Sequence, residues 1–294
     1  GSRGLGDVYK RQVIAGWGSV AGKKEAEGPL KKYFDKIIYD SYDGCDTFEQ
    51  AESMFQGEAL EKALERSKIH ANEVDCVFAG DLLNQCIGSS FGLMKFGIPY
   101  LGQYGACSTM AQSLIMAAAA VESGGAEISA CVTSSHFASA ERQYRFPLEY
   151  GGVRTPTAQW TVTGAGSCIL KNLKNGVCVA RATVGRIVDL GVSDANNMGA
   201  AMAPAAARTI SSFLNDTGSS PEDYNLILTG DLGYTGSQLL YELLEKEHNI
   251  KLKGFHKDCG TLIFDLKKQD VNSGGSGCGC SASVLCSHIL KQMD

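Results

Sequence analysis

The chain has few prolines, no long apolar run and no block of like charge, and each lack removes a class of protein. Six prolines accompany 35 glycines in 294 residues with no Gly-X-Y period, so the glycines punctuate a folded chain and build no collagen-like rod. No apolar run reaches the ~18 residues of a membrane-spanning helix. The first residues carry no hydrophobic signal-peptide core, Gly1-Ser2 reads as an expression remnant, and a soluble protein is expected. The formal charge is −5, from 27 Lys and Arg against 32 Asp and Glu. With no basic run, nonspecific binding to nucleic acid or to anionic lipid is not expected.

Nucleotide and metal motifs are also lacking. The glycine-rich stretch 274–279 has no Gly-Lys-Ser/Thr ending, so it is not a nucleotide P-loop. Gly16-Trp17-Gly18 is not followed by a helix and an acid at dinucleotide-binding spacings. Cys278-Gly279-Cys280 is too close for a Cys-x-x-Cys metal half-site. Neither a metal nor a cofactor is expected. The 11 cysteines are odd in number, and several lie inside apolar strand-like runs. That suits buried thiols in a reducing compartment better than a disulfide framework.

What is present alternates. Thr47 and Gln50 have capping-box spacing, and Phe48, Ala51, Phe55, Ala59, Ala63 and Leu64 form one stripe. This predicts a helix over 47–66, with Glu58 and Lys62 paired one turn apart. Further helices are expected over 88–95, from Cys107 to about 121, and over 200–214, 237–247 and 281–293. Strands are expected from Val13 and over 74–79, 98–101, 127–133, 161–170, 177–190, 225–229 and 260–266. Residues 137–160 have little period and read as a long loop across a cleft. Strands alternating with helices imply a layered α/β fold.

The order repeats. Residues 74–83 and 224–232 both run strand, then Gly-Asp-Leu; residues 105–116 and 277–289 both run glycine-rich, then cysteine and serine, then an apolar helix. Two similar halves follow, 1–170 and 171–294. In the first half the helix after Cys107 leads to a strand at 127–133. In the second the chain stops at Met293-Asp294 without the matching strand, so it is expected to be truncated at its C-terminus or to receive that strand otherwise.

Cys107 is the sharpest chemical candidate, since a thiolate at a helix start is stabilised by unpaired N–H groups; the alternative is a small buried residue. His136, at a strand end, can orient a thiol or bind a carboxylate, or serve as a hydrogen-bonded core residue. Asp81 and Asp231 occupy matching turns, where acids commonly accept backbone N–H bonds. Asn84 and Gln85 add polar capacity beside Asp81. Arg142, Arg145 and Arg154 suit bidentate carboxylate recognition, with Tyr144 and Phe146 near them; ion pairs with acids such as Glu149 are the alternative.

Gly105-Ala106-Cys107-Ser108-Thr109 ahead of a small-residue helix resembles the nucleophile region of the thiolase and β-ketoacyl synthase superfamily. Over roughly 13–293 the chain more closely resembles the stage V sporulation protein AD family of spore-forming bacteria. The resemblance is carried by Phe78-Ala79-Gly80-Asp81-Leu82-Leu83-Asn84-Gln85, Thr133-Ser134-Ser135-His136, Met198-Gly199-Ala200-Ala201-Met202-Ala203-Pro204, and Gly274-Gly275-Ser276-Gly277-Cys278. It implies an α/β, thiolase-like five-layer αβαβα fold. It also implies a soluble protein of the developing forespore and spore, peripheral to the inner spore membrane. Its ligand would be dipicolinic acid, pyridine-2,6-dicarboxylate, and its role would be uptake of that acid. Its partners would be the other proteins of the stage V sporulation A complex and, from the superfamily, a second copy of itself. Condensing enzymes need the cysteine plus a His-His or His-Asn pair from the second half. Those positions fall near Asp231 and Cys278, so the resemblance implies a binding protein and no enzyme. Cys107 and His136 would then lie at the old acyl pocket, with Asp81, Asp231 and Cys278 shaping its floor and Arg142 approaching from the loop. Calcium would enter only as a partner of bound dipicolinate. Two rivals are an acyl-thioester-dependent condensing enzyme or thioesterase using Cys107, and a purely structural subunit of the membrane complex.

Overall fold

The structure is a computed structural model and describes residues 12–144 and 153–293. Its strands are β1 (Gln12–Gly22), β2 (Lys36–Ile38), β3 (Cys76–Gly80), β4 (Tyr100–Gly102), β5 (Ile128–Ser135), β6 (Trp160–Thr161), β7 (Gly164–Asn172), β8 (Ile227–Thr229), β9 (His256–Asp258) and β10 (Gly275–Ser276). Six of them form one sheet in the order β2-β1-β7-β5-β3-β4. β7 runs antiparallel to β1 and β5, whereas β3 is parallel to β5 and β4. All eight residues of β5 are buried, which explains its unbroken run of small and apolar residues.

Helices cover both faces of this sheet. Helix α1 (Phe48–Ser67) covers one; its Leu60, Ala63 and Leu64 meet Val77, Ala79, Ala130, Val132 and Ile169. α2 (Ile87–Leu93) lies beside α1. α3 (Thr109–Glu122) covers the other face, where Met110, Ala117 and Val121 meet Phe78, Cys131 and Cys168. Neighbouring residues of one strand thus serve opposite cores, as a two-residue period requires. Along the rest of the chain lie α4 (Phe137–Tyr144), α5 (Met198–Thr217), α6 (Gly233–His248), α7 (Cys259–Ile263) and α8 (Cys278–Val284). α8 joins α3 on its face through Ala282. A π-helical turn, Leu285–Ile289, continues it into α9 (Leu290–Met293).

The capping box of α1 forms as its spacing predicts. The Gln50 N–H donates to Thr47 Oγ1 and the Thr47 N–H to Gln50 Oε1, both at 3.2 Å. Thr47→Ala is expected to cost about 1 kcal/mol, read as a lower urea midpoint at unchanged slope. Glu58 pairs with Lys36 of β2, and Lys62 pairs with Glu65 at 2.7 Å, so the expected Glu58–Lys62 pair does not form.

Four other expectations are corrected. Residues 137–144 form α4 and no loop; its buried face is Ser139, Ala140 and Glu141, which offers no apolar stripe to read. Arg145, Phe146 and Glu149 lie outside the described residues. Residues 177–190 form no strand; Cys178 bridges to Val13, the Val177 carbonyl accepts the Ile14 N–H, and the Val179 N–H donates to the Gln12 carbonyl. The strand expected at 260–266 is β9, a few residues earlier and made of His-Lys-Asp, and α7 follows it. α6 begins at Gly233, so Ser237 is inside it and donates its hydroxyl to the Gly233 carbonyl at 2.7 Å.

β3 pairs in parallel with β4, and β8 in parallel with β9. β10 pairs in parallel with β6. Among the described residues, no helix is long and apolar enough to cross a membrane.

Candidate functional site

A cleft of about 330 Å³ opens where the end of β3, the turn before α3 and helix α4 converge. The β3–α2 turn supplies Asp81 to Cys86. The turn before α3 supplies Tyr104, Ala106 and Cys107, and α4 supplies Ala140, Glu141 and Tyr144. Thr161, Met198 and Ser276 complete the lining. Three lining residues, Gln85, Cys86 and Ala106, hold left-handed backbone with φ of 57°, 51° and 46°. Non-glycine residues rarely do so without a reason in the surrounding structure.

Cys107 is half-buried in a 3₁₀ turn, Ala106–Ser108, which feeds directly into α3. Asp81 is buried and fully engaged. Its Oδ1 accepts the Leu83 N–H at 2.8 Å, and its Oδ2 accepts the Ser89 N–H at 2.7 Å and hydroxyl at 2.6 Å. Burial raises the pKa of Asp81, while these donors pull it back. Another acid, Glu52 of α1, is fully buried. The hydroxyls of Ser134 and Ser139 each donate to it at 2.9 Å. Burial first, and the charge of Asp81 second, push Glu52 up to about 8. Glu141 is buried too; it accepts the Thr161 hydroxyl at 3.0 Å and faces Arg154 at 3.3 Å. Arg154 also lies over the rings of Trp160 and Phe137.

The six residues singled out from the sequence do not share one wall. Asp81 and Cys107 line the cleft. Cys278 is the first residue of α8 and wholly buried, and its Sγ donates to the Ser134 carbonyl at 3.0 Å. Burial, then the nearby Cys107, holds that thiol well above its ordinary pKa. Asp231 is buried and accepts the Gly277 N–H at 2.8 Å, which braces the turn before α8. His136 and Arg142 are outside the lining, contrary to expectation. His136 Nε2 meets the Ser41 carbonyl at 2.9 Å while Nδ1 accepts the Ala138 N–H at 3.2 Å. Its ring is stacked on Phe48, and burial lowers its pKa. Arg142 is exposed on α4 and ion-paired with Glu49. Both side chains are claimed by partners more than 90 residues upstream. His256 is also engaged, between Tyr241 and Thr229, with its pKa lowered to about 4 by burial.

Glu52 and Glu141 were not singled out. Glu52 had a signal: an acid four residues after Phe48 and three before Phe55, on the stripe that α1 buries. Among the described residues, no three His, Cys, Asp or Glu side chains are grouped to hold a metal ion.

Solved structures share this architecture. A cerulenin-bound OleA of Xanthomonas campestris superposes with a TM-score of 0.63 at 15% identity, covering 96% of this chain and 89% of that one. The 3-oxoacyl-[acyl-carrier-protein] synthase III of Aquifex aeolicus VF5 gives 0.57 at 14% identity, covering 96% and 91%. At such identities the likeness establishes the fold, the thiolase-like α/β fold of condensing enzymes. The stage V sporulation protein AD of Bacillus subtilis (strain 168) is 42% identical over 276 residues, 94% of this chain and 81% of the relative. The family model for stage V sporulation protein AD matches residues 6–294. The chain therefore belongs to the stage V sporulation protein AD family.

Proposed function

We propose that this protein is a non-catalytic binding protein for dipicolinic acid, acting in uptake of that acid into the developing spore as a component of a complex at the inner spore membrane. The observation that carries the reading is a contrast within the cleft. Cys107 stands where a nucleophile would, yet no histidine is in the described lining. The second-half positions are Asp231, whose carboxylate accepts the Gly277 N–H, and Cys278, a buried protonated thiol. Condensation needs a base and donors for a developing oxyanion, and these side chains supply neither. A cleft of about 330 Å³ suits a ligand of pyridine-diacid size. Family membership supplies the sporulation context. Calcium takes part only with bound dipicolinate, whose charge it offsets beside Asp81. The face proposed for a second copy is edge strand β4 with Leu101 and, on α2 and just after it, the exposed row Ile87, Phe91 and Met94.

Isothermal titration with dipicolinate, with and without calcium, tests the reading against an isomeric pyridine diacid. Saturable heat selective for the 2,6-isomer is expected. No heat from folded protein removes the ligand and leaves a structural subunit. The half-buried Cys107 at the cleft favours one rival, an acyl-thioester enzyme. Intact-mass detection of an acyl group on Cys107 after exposure to an acyl thioester would establish that rival.

A further inference from the structure

A carboxylate entering the cleft meets charge of its own sign. The charged residues of the lining are Asp81 and Glu141, and among the described residues no lysine or arginine lines it. Among the described residues recognition then falls to neutral donors, and most of those are already engaged. The Thr161 hydroxyl is given to Glu141 and the Tyr144 hydroxyl to the Leu82 carbonyl. Cys107 and Ser276 have partners of their own. Three side-chain donors remain: the amides of Asn84 and Gln85 and the hydroxyl of Tyr104. All three residues are exposed lining residues with no side-chain hydrogen bond among the described residues.

The backbone that presents them is unusual. Gln85 and Cys86 are consecutive left-handed non-glycine residues, each costing about 1–2 kcal/mol. Elsewhere such residues have ordinary explanations. Lys68 and Asn249 cap helix ends, and Asp43 and Asn272 are of the types that tolerate this region. Cys86 pins the turn from inside, its buried Sγ donating to the Gln103 carbonyl at 3.3 Å. Gln85 is left outside, on the cleft.

We infer that the Asn84-Gln85 turn, together with Tyr104, is the arm that recognises a ligand carboxylate, through neutral hydrogen bonds and without an ion pair. The inference rests on the small-acid reading of the cleft and names the residues that select its ligand. Such binding depends only weakly on salt, because no opposite charge is screened.

Gln85→Gly is the informative change. Glycine accepts the left-handed turn without strain, so the fold is kept while the amide is lost. Titration with dipicolinate should show about tenfold weaker binding, or more, in Gln85→Gly and in Asn84→Ala. The melting temperature of Gln85→Gly should not fall. Unchanged affinity in the folded variants overturns the inference, and so does a steep loss of wild-type affinity with salt. A second measurement separates the arm from the identity of the ligand. Side-chain amide signals of Asn84 and Gln85 are followed by NMR during titration with dipicolinate, picolinate and benzoate. Shifts with the monocarboxylates but not with dipicolinate keep the arm and reject dipicolinate. No shift with any of the three, or binding that leaves these amides unmoved, rejects the arm.

Discussion

Glu52→Gln is expected to stabilise the protein at alkaline pH, its advantage over the parent growing by about 4 kcal/mol between about pH 5 and pH 9. Glu52 is fully buried, with a pKa raised from 4.5 to about 8. A carboxyl whose folded-state pKa is raised favours folding in its protonated form. Its contribution is complete below 4.5 and is lost as the pH climbs through about 8. The hydrogen bonds fit the neutral form. A protonated Glu52 can donate to Ser139 Oγ, which lies 2.9 Å away and can pass its own proton to the His136 carbonyl at 3.1 Å. Ser134 still donates to the other oxygen. A glutamine amide reproduces every one of those bonds and cannot ionise. Urea denaturation of both proteins across this pH range measures the difference. Parallel stability profiles would mean that Glu52 is not the group that titrates.

The second large effect is steric. An ideal Cβ on Gly166 would lie 2.3 Å from the carbonyl oxygen of Ala282 and 2.5 Å from its carbon. Both are backbone atoms of α8, so no side chain can swing away. Gly166→Ala must push α8 off β7, at a cost of about 3 kcal/mol or more. The damage spreads to β5, because the Gly279 N–H of α8 donates to Ser135 at 3.1 Å and Cys278 Sγ donates to the Ser134 carbonyl at 3.0 Å. Gly125→Ala is the control: its Cβ would come no closer than 3.4 Å to anything and should shift stability by under about 0.5 kcal/mol. Equal urea midpoints for the two variants would refute the close approach.

The large elements were legible because their signals are local. Thr47 and Gln50 sit within one turn of each other, and the small-residue run after Cys107 is α3 itself. The failures came where structure depends on distant partners. β9 is a strand because it pairs with β8, although His-Lys-Asp has no strand character of its own. The apolar alternation of 177–190 has the opposite fate: Val177, Cys178 and Val179 make scattered bonds to β1 and no ladder forms. The same division runs through the site. Cys107 and Asp81 are placed by the turns in which they stand. His136 and Arg142 have chemistry that suits a cleft, but Ser41 and Glu49 engage them, and no local spacing announces such pairs. Asn84 and Gln85 read as minor polar residues until the left-handed backbone at Gln85 and Cys86 is seen.

The position of β7 between β1 and β5 imposes an order on synthesis. Ala21 pairs with Gly164 and Gln12 with Asn172, so β1 waits while the ribosome adds everything between. At ordinary elongation rates that takes on the order of 10–30 s. The two faces of β1 are sealed at different times. α1 emerges soon after β1 and can lie on Gly16 and Gly18, whose missing side chains leave room for Ala63 and Ala59. Trp17 points the other way, into the core shared with Ala282, Cys286 and Leu290. That side of the first strand is closed only once α8 and α9 have been made, so these helices act as a clasp on a strand that was synthesised long before them.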